Sequence, residues 1–274
     1  MDLVPHNVDR DRLSEQLVIA LERAPAGLPY GPLARLAAEV SGRNLSRLRD
    51  LAFVDAIVDR VGESLEEPSA LNRAIPLPDF IGRDVRIDRR VRALATFAEG
   101  LGRRCGGFEA VVLGFGSSPD RRFSMNYMPD LQPVIFIGNR ALVLHRLAEL
   151  VGSLGHEVGH ITTGSGWRVH LIRAVRALAL ARDPDGGAAV NALCTRLLIG
   201  EEVGADDAGS DLVGNRAMLQ AQLGVERVAE AIRARARAAG RPVPLSARDP
   251  IWPTHLSRAA RAARIQARMA KTGP

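Results

Sequence analysis

The sequence predicts an α+β fold that is mainly helical, with a small β-sheet set between two helical regions. Three observations predict it. Apolar residues recur at helical spacing through the first eighty residues or so, and again from Asn139 onward. Between these regions, after Gly106-Gly107, the period changes to two over three short runs. Proline- and glycine-rich stretches separate the blocks, with no internal repeat and no low-complexity tract.

In chain order, Leu13, Leu17, Ala20 and Leu21 mark a first helix over residues 13–24, stopped by Pro25, Gly27, Pro29 and Gly31. A short helix over 32–40 ends at Ser41-Gly42. A longer one over 45–63 buries Leu48, Leu51, Ala52, Ala56, Val58 and Val61. Residues with Pro68, Pro76 and Pro78 read as a loop. They place a boundary near residue 80, between an N-terminal helical extension (1–80) and the main domain (81–274).

The main domain opens with a helix over 89–103. Strands follow over 109–115, 122–128 and 133–137, the first two joined by a turn at 116–120. Helices are then expected over 140–162, with Gly152 and Gly155 as places where it could divide, and over 169–182. Another covers 188–209 with a continuation to about 223, and two more cover 225–239 and 257–271.

Composition bounds the function classes. The chain of 274 residues is 46% hydrophobic and 25% charged, which suits a protein that buries a real core. Its net charge of +6 comes almost wholly from arginines scattered along the chain, Lys271 being the one lysine. That scatter is not the clustered basic patch of a nucleic-acid footprint, so no nucleic-acid partner is expected. Cys105 and Cys194 are far apart and form no disulfide framework or cysteine metal site. The polar start and the lack of a long apolar run lead to the expectation of a cytoplasmic protein without a transmembrane segment.

One segment carries chemistry: Gly155-His156-Glu157-Val158-Gly159-His160. Histidines at i and i+4 on a helix stand one above the other on one face, so both imidazoles can point at one ion. Glu157 sits beside the first, where its carboxylate can reach water at the metal. This is the mechanical content of H-E-x-x-H in zinc peptidases. A catalytic zinc needs a third protein ligand and an open position. Glu202 is the candidate: it lies far enough downstream for the chain to reverse and bring a second helix alongside. Asp206, one turn later on the same face, can hold a ligand histidine from behind and fix its tautomer.

The pairing of His156-Glu157-x-x-His160 with Glu202-x-x-Ala205-Asp206 resembles the CAAX prenyl protease and HtpX-like family of zinc metallopeptidases. The strand over 133–137, followed by Gly138-Asn139 and a helix into the motif, is similar too. So is Thr254-His255 followed by Arg261 and by Arg264-Ile265. The resemblance spans about residues 85–268. It implies a zincin-type (gluzincin) fold, one Zn2+ per chain and a peptide or protein substrate. It also implies an oxyanion-stabilising role for His255, supported by Arg261 or Arg264. Leu256 stands where the family carries proline, and the family's membrane helices are absent, which implies a soluble branch. Two other readings stay open: a repressor-cleaving peptidase with a DNA-binding N-terminal module, and a latent or non-catalytic zinc-binding scaffold.

Overall fold

The computed structural model describes residues 8–41, 55–65, 74–113, 123–128, 130–244, 247–249 and 254–272. These residues are mainly helical, with one four-stranded sheet. By packing they form two compact units, each discontinuous in sequence: residues 1–67, 127–132 and 160–204, and residues 68–126, 133–159 and 205–274. No helix among them is long and apolar enough to cross a membrane.

The first unit is helical. α1 (Arg10–Glu22) starts at Asp9, whose carboxylate accepts a hydrogen bond from Arg12 N at 3.1 Å and so satisfies an orphan donor of the first turn. α1, α2 (Tyr30–Ser41) and α3 (Asp55–Leu65) each pack on α7 (Ser165–Arg182). Leu13, Leu17, Leu33 and Ile57 are fully buried, as their helical spacing predicts. The first part of the helix expected over 45–63 lies outside the described residues. A buried ion pair ties this unit together: Arg168 and Glu201, each 1% exposed, meet through Nε and Nη2 at 3.0 and 2.8 Å.

Within the same unit, Tyr127 stacks on Trp167 with centroids 3.5 Å apart, and the His170 ring tilts against both. Burial, together with the Arg173 charge, pulls the His170 imidazole down to about 4. A histidine depressed in the folded state is neutral there, while the unfolded chain takes up a proton near 6.5. Its contribution is therefore whole above about pH 6.5 and is lost as the pH falls towards 4. The full shift corresponds to about 3 kcal/mol, and the ring's partial solvent contact reduces this to about 1–2 kcal/mol. Thermal unfolding of the chelator-treated protein should show Tm falling through this window, and His170→Phe should flatten the fall. An unchanged slope in the variant would place the acid sensitivity elsewhere.

The second unit holds the sheet. β2 (Glu109–Leu113) runs parallel to β4 (Pro133–Gly138) with Val111 opposite Phe136, and antiparallel to β1 (Ala74–Pro76). β3 (Phe123–Tyr127) lies at the other edge. β1 falls where the prolines suggest only a loop. An edge position tolerates Pro76, because a missing N–H costs nothing on the unpaired side of a sheet. The turn expected over 116–120 lies outside the described residues. α4 (Asp88–Cys105) covers the sheet with Val91, Leu94, Ala98 and Leu101 buried.

Two helix boundaries differ from expectation. The helix expected over 140–162 is divided, but at His145-Arg146, into α5 (Asn139–Leu144) and α6 (Leu147–Thr162). Glu149, in the first turn of α6, accepts from Arg146 N at 3.0 Å and from His145 Nδ1 at 3.0 Å, which caps the new helix. Gly152 and Gly155 stay helical because α6 is closely packed there: a Cβ on Gly155 would come within 2.6 Å of Val213. Likewise α8 (Gly187–Val213) ends at Gly214, at φ 86° and ψ 146°, a conformation open to glycine, and α9 (Asn215–Ala238) runs straight through Gly224. α10 (Arg258–Thr272) packs on α9.

Candidate metal centre

α6 and α8 carry the site. His156 and His160 stand one turn apart on α6, and Glu202 projects from α8; one ligand atom from each lies within 4.8 Å of the others. His160 Nε2 is 3.7 Å from Glu202 Oε1. Around a tetrahedral zinc, adjacent ligand atoms stand about 3.4 Å apart, close to the separation of these two atoms. The donor set of two imidazoles and one carboxylate suits such an ion as well, and these three residues could hold a metal.

Both histidines are held from behind. His156 Nδ1 lies 3.0 Å from Asp206 Oδ1, and His160 Nδ1 lies 2.7 Å from Ser165 Oγ. An Nδ1–H donating to each oxygen leaves both Nε2 lone pairs for a ligand, the usual arrangement around a protein-bound metal. Asp206 is in turn gripped by Arg261, Nε to Oδ2 at 2.8 Å and Nη2 to Oδ1 at 2.5 Å. Burial alone would push the Asp206 carboxyl up. The Arg261 charge, with hydrogen bonds from His156 and Arg261, outweighs it and holds the group well below the usual carboxylate range.

Glu157 is buried, and its Oε2 accepts from the Met125 backbone N–H of β3 at 2.8 Å. That bond fixes the carboxylate beside an edge strand of the sheet. The close approach of α6 to α8 is made at Gly159, where a Cβ would collide with the Ala205 carbonyl.

Of the late residues, Arg261 reaches the ligand set, with Nη2 3.2 Å from His156 Nδ1. Arg264 pairs with Asp207 at 3.0 Å on the surface. His255 is half-buried, its Nδ1 3.2 Å from Thr254 Oγ1. Sequence reasoning missed Ser165. Its signal is faint: a hydroxyl just past the turn that follows the motif, which only the Gly164 turn brings back to His160. No protein-family model, curated protein or solved structure matches the chain.

Proposed function

We propose that the protein is a zinc-dependent endopeptidase of the gluzincin type, with His156, His160 and Glu202 as ligands and Glu157 as general base. The observation that carries this reading is the convergence of the three ligand atoms within 4.8 Å, with Glu157 next to His156 on the ligand helix. Bound zinc supplies Lewis acidity towards the scissile carbonyl and lowers the pKa of water.

Glu157 takes the proton from the attacking water and returns it to the leaving amine nitrogen. The Met125 N–H aligns that carboxylate and anchors it to β3. Asp206 favours the Nδ1–H tautomer of His156, Ser165 Oγ can accept from the same nitrogen of His160, and Arg261 neutralises the buried Asp206 charge. β3 is an edge strand of the sheet, a position that suits a protein substrate bound as an added strand. His255 is the proposed donor to the developing oxyanion, with Arg261 or Arg264 as its support. The resemblance to CAAX prenyl protease and HtpX-like peptidases points to the same reaction class.

The test is cleavage of an unfolded protein such as reduced casein by zinc-loaded enzyme. We expect cleavage that a chelator stops and added Zn2+ restores. Cleavage that survives full chelation would overturn the proposal.

A further inference from the structure

We propose that the buried trio Tyr30, Arg168 and Glu201 is a positioning device for His160 and Glu202, which makes helices α1 and α2 a structural part of the metal centre. The inference rests on the metal reading above and goes beyond it, since none of the three residues is one of the candidate ligands.

Arg168 is placed to act on both ligands at once. Its Nη1 donates to the Thr163 carbonyl at 2.9 Å, in the turn between α6 and α7. In that turn Ser165 N donates to Thr163 Oγ1 at 3.3 Å, and Ser165 Oγ meets His160 Nδ1 at 2.7 Å. The same guanidinium holds both oxygens of Glu201, the residue immediately before Glu202 on α8. Pinning Glu201 into the core fixes the rotation of α8, and with it the direction in which Glu202 projects.

The N-terminal helices complete the network. Arg168 Nη1 also donates to the Ala20 carbonyl of α1 at 2.8 Å, and Tyr30 Oη of α2 donates to Glu201 Oε1. Arg168 and Glu201 are each 1% exposed, and removing two ions from water costs several kcal/mol apiece. A hydrophobic pair of similar volume would give as much stability. What a fork-shaped cation and a carboxylate add is directionality: fixed angles at the Thr163 and Ala20 carbonyls and at Glu201.

The experiment titrates the metal-free full-length protein with Co2+ alone, reading affinity by competition with a chelating dye and ligand geometry from the visible absorption bands. Arg168→Lys keeps the charge but loses the fork, and Tyr30→Phe removes only the hydroxyl. We expect Arg168→Lys to weaken Co2+ binding by about 10–100-fold and to shift the bands, with Tyr30→Phe shifting them in the same direction by less. Leu101→Ala, in the core of α4, controls for stability: its Tm should fall, with affinity and spectrum unchanged. If Arg168→Lys does not fold, Tyr30→Phe decides. Wild-type affinity and bands in the folded variants would overturn the inference and leave the metal reading intact. A wild type that takes up no Co2+ would overturn both.

Discussion

Glu157→Gln is expected to lower kcat by about 10²–10⁴-fold or more while leaving KM and bound metal near wild type. The amide has the shape of the carboxylate, and its carbonyl oxygen can still accept from Met125 N, so the fold around the site has no reason to change. It cannot take a proton from water at neutral pH, which removes the proposed base but none of the proposed ligands. A quenched peptide assay with metal analysis of the same sample separates the two effects. A variant keeping more than about a tenth of wild-type kcat would mean that another group abstracts the proton.

The second large effect comes from a single methyl group. In Gly159→Ala the new Cβ meets the Ala205 backbone carbonyl, which cannot swing aside as a side chain would, so α6 and α8 must separate. Overpacking of this kind costs about 1–3 kcal/mol. Here the displaced helices are the two that carry His156, His160 and Glu202, so metal affinity should fall with stability. Gly204→Ala is the contrast. It lies on α8 two positions from Glu202, a Cβ there meets nothing within 4 Å, and alanine is the better helix former by about 1 kcal/mol. We expect Gly159→Ala to lower Tm by several degrees and to weaken the metal, and Gly204→Ala to raise Tm or leave it unchanged with metal binding intact. Equal behaviour of the two variants would show that the close approach of α6 to α8 does not control the site.

What was legible in the sequence was local. Two histidines one turn apart on an apolar-patterned helix, and a glutamate with an aspartate one turn after it, declare their faces through spacing alone. The structure does bring His156, His160 and Glu202 together and sets Asp206 behind His156. The alternation over the sheet region marked β2, β3 and β4 for the same reason.

What stayed hidden depends on distant partners. Arg168 looks like one more arginine in a chain full of them. Only its pairing with Glu201, 33 residues on, shows that it is buried. Ser165 gains its role from the turn that brings it back to His160. The helix breaks went astray because a glycine has two uses that sequence does not separate. Gly214 supplies a positive φ, whereas Gly224 supplies room for Glu149, whose carboxylate a Cβ there would meet. β1 was masked by Pro76, which an edge strand accepts.

The most direct test of the central claim is the metal content of the purified wild type and Glu157→Gln after exhaustive dialysis, by elemental analysis. About one equivalent of zinc in each, lost from His160→Ala and Glu202→Ala, is the result that the geometry predicts. Wild-type protein that holds no tightly bound metal, and takes none up when zinc is supplied, would contradict it.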